Sequence, residues 1–127
     1  MREVAREWID KAEADFITAE REPRAVPPNY DAAAFMAQQA AEKFLKARLV
    51  EAQVKFPKTH DLAVLLDLIL PLEPTWSHLR PALDALASLG IEVRYPGTTA
   101  DEDDAAEAVQ TASAVRTLVR TALGLMP

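Results

Sequence analysis

The segment NYDAAAFMAQQAAEKFLKA, residues 29–47, constrains the fold of this chain more than any other. It contains seven alanines, and alanine is the strongest helix former. Its small side chain also lets a neighbouring helix approach closely, while Phe35, Phe44 and Leu45 supply bulk for a core. We therefore predict a long central helix over about residues 30–54 that contacts more than one neighbour. Asn29 or Asp31 can cap its amino end.

Four further helices are predicted from apolar residues at helical spacing, at about 3–21, 60–71, 76–89 and 101–124. Prolines after residue 21 forbid continuation of the first helix. No strand is predicted. Helices joined by short, proline-containing loops indicate one all-α domain over residues 1–127, an up-and-down bundle of four or five helices with the third as a shorter cross-piece.

Single residues are expected to set the ends of these later helices. Thr59 is the expected cap of the third helix. Gly90 and Gly124 are expected to close the fourth and fifth. Pro81 lies inside the fourth segment, so it either occupies the first turn or kinks the helix.

The composition excludes several classes of protein. A net charge of −6 argues against non-specific binding to nucleic acid, and the absence of cysteine excludes disulfides and thiolate chemistry. Two distant histidines, no EF-hand loop and no glycine-rich phosphate loop predict neither a metal site nor a cofactor. The charged residues 1–7 do not predict a signal peptide, and the apolar run 62–72 is too short to span a bilayer. We expect a cytoplasmic protein without a membrane partner.

Residues 43–58 carry a local charge of +4, from five cations and one glutamate. Lys43 and Lys46 in this stretch could bind a small anionic ligand. The alternative is that cations simply favour the negative end of a helix dipole.

A ridge of polar side chains runs along the same helix, formed by Gln38, Gln39, Glu42, Lys43 and Lys46. Pairs four residues apart are typical of a solvated helix face. Two adjacent glutamines among alanines are less ordinary, because their amides can bridge to a second helix, a second subunit or a base edge.

His60 and Arg94-Tyr95-Pro96 are the other candidates for chemistry. A histidine at a helix start suits acid–base work or phosphate contact, although Thr59-His60-Asp61 could be an ordinary helix start. Arginine can grip phosphate, and Tyr95 offers a stacking face. The alternative is a structural loop that packs over helix ends. The second histidine, His78, has no evident partner and is expected to be exposed.

Together these fragments resemble the HEPN family, of the type found beside minimal nucleotidyltransferases. An aromatic residue in the first helix, a Tyr-Asp-x-Ala-x-Phe start to the second, and Thr-His-x-Leu and Arg-Tyr-Pro motifs later carry the resemblance. In this chain they are Trp8; Tyr30, Asp31, Ala33 and Phe35, followed by Gln38 through Ala47; Thr59, His60 and Leu62; and Arg94 through Pro96. Met36 departs from the pattern, because many relatives would have histidine there.

The resemblance implies a helical homodimer that is either a metal-independent RNase or a nucleotide-binding partner of a minimal nucleotidyltransferase, in some cases within a toxin–antitoxin module. The RNase branch has an arginine followed by a histidine, with four to six residues between them. The required positions, 53–55 for His60 and 71–73 for His78, hold no arginine, so this signature is absent.

Three hypotheses follow. The first is a non-catalytic partner subunit that binds nucleotide or phosphate through Lys43, Lys46, His60, Arg94 and Tyr95. The second is an RNase in which His60 is the acid–base group and Arg94 stabilises the phosphorane charge. The third is a structural adaptor with an exposed apolar face.

Overall fold

The computed structural model describes residues 1–127 as five α-helices and no strand. The helices are α1 (Glu3–Arg21), α2 (Tyr30–Glu51), α3 (Leu62–Ile69), α4 (Arg80–Glu92) and α5 (Glu102–Ala122). Two short 3₁₀ helices, Glu22–Arg24 and Pro74–Leu79, precede α2 and α4. The predicted all-α fold is confirmed.

Helix α2 lies at the centre and contacts each of the other four α-helices. Six of its alanines have no exposed surface, because neighbouring helices approach the backbone closely there. These are Ala33, Ala34, Ala37, Ala40, Ala41 and Ala47. Phe44, Leu45 and Leu49 add the bulk of the core from the same helix and are also fully buried.

Short oxygen side chains cap the amino ends of α2, α3 and α5. Asn29 Oδ1 accepts from the Ala32 N–H at 3.0 Å, so Asn29 is the cap of α2. Thr59 was the wrong prediction for α3. Asp61 is the cap, and its carboxylate accepts from the N–H groups of Ala63 and Val64. The hydroxyl of Thr59 instead accepts from the N–H of Asp61.

The predicted boundaries were less accurate in the middle of the chain. Helix α2 ends at Glu51, before Gln53 takes a left-handed conformation with φ +58°. Helix α3 covers only Leu62–Ile69. Pro81 occupies the first turn of α4, after the 3₁₀ helix, and does not interrupt it.

Gly90 does not end α4, which continues to Glu92. A Cβ at this position would lie 2.9 Å from Cβ and Cγ of Gln38. The glycine therefore serves the close approach of α4 to α2, which a helix-end rule cannot detect. Gly124 follows α5 with φ +76°, in the region that favours glycine.

Polar contacts join distant parts of the bundle. Asp31 Oδ1, in the first turn of α2, accepts from the N–H of Ala100 at 2.7 Å. This hydrogen bond holds the loop that leads into α5 against α2. Glu13 on α1 accepts from the guanidinium groups of Arg116 and Arg120 on α5, at 2.9–3.2 Å. No helix is both long and apolar enough to cross a bilayer.

Candidate functional site

Gln38, Glu42 and Lys46 follow one another at intervals of four residues along α2, and each is at most 6% exposed. We call these three residues the buried polar stripe. Expecting a solvated ridge was wrong for them, although Gln39 and Lys43 beside them are half-buried. The difference arises because other segments cover this face. Since buried polar atoms need partners, the contacts of the stripe define a site.

Glu42 is the centre of this site, because both of its carboxylate oxygens are engaged. Lys46 Nζ donates to Oε2 at 3.0 Å. Nδ1 of His60 lies 2.9 Å from Oε1. One buried carboxylate therefore joins a buried ammonium to a histidine from a separate loop.

His60 is held at two points, and its ring nevertheless faces solvent. Its backbone carbonyl accepts from Gln38 Nε2 at 3.3 Å, and Gln38 Oε1 in turn accepts from Gln39 Nε2 at 2.8 Å. The ring is fixed through Nδ1 by Glu42, yet the side chain is 76% exposed. Nε2 makes no hydrogen bond within the chain, so this nitrogen is available for a further contact.

Lys46 lies between two aromatic rings from outside α2. Its Nζ is 5.3 Å from the ring centre of Trp8 on α1 and 5.8 Å from that of Phe56 in the loop after α2. An ammonium at such distances is attracted to the face of the ring. A buried charge is tolerated only with good partners, and here the carboxylate of Glu42 and the two rings supply them.

The other cations of residues 43–58 are less available than the sequence suggests. Lys43 forms an ion pair with Asp15 of α1, and Arg48 donates to Glu73 at 3.0 Å. Lys43 and Lys46 thus face carboxylates of the same chain. Lys55 and Lys58 are exposed and form no ion pair.

Arg94 lies over an aromatic ring at the amino end of α2. Its guanidinium carbon is 4.6 Å from the ring centre of Phe35. Both residues line an open depression of about 500 Å³ together with Asn29 and Asp31. Tyr95 follows and is 65% exposed, so it does not pack over a helix end.

His60 does not line the depression that contains Arg94. The two residues are nevertheless supported by the same helix, Arg94 by Phe35 and His60 by Glu42. These supports are seven residues apart, about 10 Å along the axis at 1.5 Å per residue. The structure thus brings both predicted residues to α2 without joining them in one pocket.

Sequence reasoning missed several residues that build the site. Asp31 was considered as a cap, but it holds the loop that leads into α5. Phe56 and Asp15 gave no local signal, because their partners Lys46 and Lys43 are distant in sequence. No group of three metal-ligating side chains comes together anywhere in the chain.

The sequence and the fold are both similar to those of known proteins. A family model described as the HEPN domain matches residues 5–122. Among solved structures, the crystal structure of TT1696 from Thermus thermophilus is similar, with 25% sequence identity and a TM-score of 0.74. The match covers 92% of this chain and 96% of that one. No curated protein matches the chain.

Proposed function

The chain belongs to the HEPN family, and from this premise we propose that it is a non-catalytic subunit that binds a nucleotide or another phosphate ligand. His60 and Arg94 are the proposed ligand contacts, with Tyr95 beside them. The subunit forms a homodimer and pairs with a minimal nucleotidyltransferase, as one half of a toxin–antitoxin module.

The observation that carries the binding proposal is the contact that holds the ring of His60 against Glu42. An exposed imidazole is normally free to rotate, but this one is held by a carboxylate with almost no exposure to solvent. Fixing a side chain before a ligand arrives lowers the entropy lost on binding. A protonated imidazole with a free Nε2 is a suitable donor to a phosphate oxygen.

Arg94 supports the same proposal from the other end of the site. Its guanidinium is oriented by the ring of Phe35 and remains exposed at the edge of an open depression. A guanidinium offers paired donors to phosphate and a flat face to a base. We assign no direct ligand contact to Lys43 or Lys46, because both are paired with carboxylates.

Calorimetry with ATP and other nucleotides tests the binding proposal. The wild type is expected to bind, and Arg94→Ala and His60→Gln are each expected to weaken binding. Matched controls are Arg24→Ala and His78→Gln, which change exposed residues of the same types elsewhere. Controls that bind like the wild type support the assignment. The absence of nucleotide binding by the wild type would remove this part of the proposal.

The assembly is tested separately from the ligand. Light scattering on the purified protein is expected to give the mass of a dimer. Co-expression with a minimal nucleotidyltransferase, which the proposal expects to be encoded beside this gene, should yield a complex that survives gel filtration. A monomeric mass contradicts the homodimer, and two separate elution peaks contradict the pairing.

One observation favours a second function, cleavage of RNA with His60 as the acid–base group. A histidine whose Nδ1 contacts a buried carboxylate and whose Nε2 faces solvent has the orientation that proton transfer requires. Arg94 has no part in this step, because it lines a separate depression that does not include His60. RNA cleavage that is lost in His60→Ala and retained in His78→Ala supports this function, whereas cleavage that survives His60→Ala excludes this assignment.

A further inference from the structure

We infer that Glu42 is a positioning residue that keeps the proton of neutral His60 on Nδ1 and so determines what the exposed Nε2 can bind. The identity of the ligand rests on the function proposed above. The proton arrangement itself rests only on the contacts of Glu42, Lys46 and His60.

The contacts of Glu42 fix the direction of the hydrogen bond. An ionised carboxylate only accepts hydrogen bonds. Oε2 accepts from the ammonium of Lys46 at 3.0 Å, so the two groups form a buried ion pair. Oε1 therefore accepts as well, and its partner at 2.9 Å, Nδ1 of His60, must carry the hydrogen.

The surroundings prevent the carboxylate from turning away. Glu42 is buried, and Lys46 behind it is confined by Trp8 and Phe56. Turning the carboxylate away from Lys46 would leave two buried charges without partners, which is strongly unfavourable. Through these contacts Trp8, Lys46 and Glu42 hold the surface imidazole of His60 in a fixed position relative to the core.

Two other charged groups lie close to His60 in the sequence. Asp61 is next to it, and its carboxylate is occupied by the N–H groups at the start of α3. Lys58 is exposed and forms no ion pair. The only carboxylate within hydrogen-bond distance of the ring is therefore that of Glu42.

This arrangement has a chemical consequence for the ligand. With the proton on Nδ1, neutral His60 presents Nε2 as an acceptor, suited to a sugar hydroxyl or a protonated phosphate oxygen. It can donate to a fully ionised phosphate only after taking up a second proton. Binding of such a phosphate to neutral His60 is therefore coupled to the uptake of one proton.

Nitrogen-15 NMR of the imidazole rings tests the proton arrangement without any ligand. In the wild type above neutral pH, His60 is expected to carry its proton on Nδ1. The double variant Glu42→Gln/Lys46→Met removes both charges together, and its His60 is expected to show a mixture of the two tautomers. Lys46→Arg retains the cation and is expected to preserve the wild-type tautomer.

Two controls separate positioning from general damage. Asp15→Asn/Lys43→Met removes the neighbouring ion pair between α1 and α2, which does not touch His60, and should leave the tautomer of His60 unchanged. His78 provides a reference for a proton on Nδ1 in the same spectra, because the carbonyl oxygen of Thr75, 2.6 Å from its Nδ1, also only accepts hydrogen bonds. A wild-type proton on Nε2, or an unchanged tautomer in Glu42→Gln/Lys46→Met, overturns the inference.

Calorimetry with ATP in two buffers of different protonation enthalpy tests the coupling. Wild-type binding at neutral pH is expected to take up protons, and Glu42→Gln/Lys46→Met is expected to take up fewer. If ATP does not bind but the tautomer is as expected, the proposed function fails and the positioning role stands. ATP binding with equal proton uptake in both proteins contradicts the coupling.

Discussion

Residues 37, 41 and 45 of α2 each come one position before residues 38, 42 and 46, and both rows are buried. The first row is Ala37, Ala41 and Leu45, and the second is the buried polar stripe. The first row is apolar and needs only neighbours of complementary shape. The second contains an amide, a carboxylate and an ammonium, each of which needs a specific partner. Two equally buried rows thus require different things from the rest of the chain: the first requires complementary shape, and the second requires specific hydrogen-bond partners.

Those demands explain why the polar row, and not the apolar row, is connected to the candidate functional site. Any close-packed apolar surface can cover an alanine. The polar row requires particular atoms from distant segments, and His60 supplies two of them, its carbonyl oxygen and Nδ1. Satisfying the buried stripe therefore places a histidine at the surface. Four substitutions, at Glu42, Ala41, Gly90 and Lys43, test this contrast and should destabilise the protein in decreasing order.

Glu42→Ala should have the largest effect, because it leaves the buried ammonium of Lys46 without its carboxylate. We expect a loss of about 3–5 kcal/mol in the free energy of unfolding, the usual effect of breaking a buried ion pair. Urea denaturation measures it. Glu42→Gln/Lys46→Met should lose much less, because neither charge remains. Equal losses in the single and double variants would contradict the demand for specific partners.

Ala41→Leu tests the apolar row. Ala41 has no exposed surface, so three added carbon atoms must displace a neighbouring helix. Overpacking of this kind typically destabilises by about 1–3 kcal/mol. Ala14→Leu, on the exposed face of α1, is the matched control and should change stability by less than about 0.5 kcal/mol. If the two variants are equally stable, the first row is not closely packed.

Gly90→Ala probes the place where α4 meets the polar stripe. The added Cβ would lie 2.9 Å from Gln38, whose amide is fixed by His60 and Gln39. The steric cost should exceed the gain of about 0.5–1 kcal/mol from replacing a helical glycine, leaving a net loss of about 1 kcal/mol. Thermal unfolding measures it, with the exposed Ser88→Ala as control. A stabilised Gly90→Ala protein would show that α4 can move away.

Lys43→Met should have the smallest effect. Its ion pair with Asp15 is partly exposed, and such pairs contribute about 0.2–1 kcal/mol. The contribution should decrease further in high salt, whereas the loss in Glu42→Ala should hardly depend on salt. Urea denaturation at two salt concentrations distinguishes the two pairs. A loss in Lys43→Met as large as that in Glu42→Ala removes the distinction between the partly exposed and the buried ion pair.

The sequence predicted the fold well where one local signal sufficed. Alanine content identified α2 as the central helix, and proline placed the end of α1 at Arg21. Gly90 misled the prediction because a glycine permits close approach as well as helix ends, and only the position of Gln38 distinguishes these uses. Thr59 misled it because Asp61, two residues later, is an equally suitable cap.

The site was only partly predictable, for a different reason. His60, Glu42 and Lys46 were all recognised as candidates, but as members of separate features. Their contacts join residues 18 apart in the case of His60 and Glu42, and they depend on how the loop after α2 returns. Periodicity reports which residues share a helix face, but not which distant segment covers that face.

Helix α2 carries the supports of both His60 and Arg94, and a continuous helix hardly changes in length. The separation of these two supports is therefore set by the number of residues between Phe35 and Glu42. A molecule that engages both groups must span the separation between these supports. The length of α2 between Phe35 and Glu42 would thus select ligands by their own length.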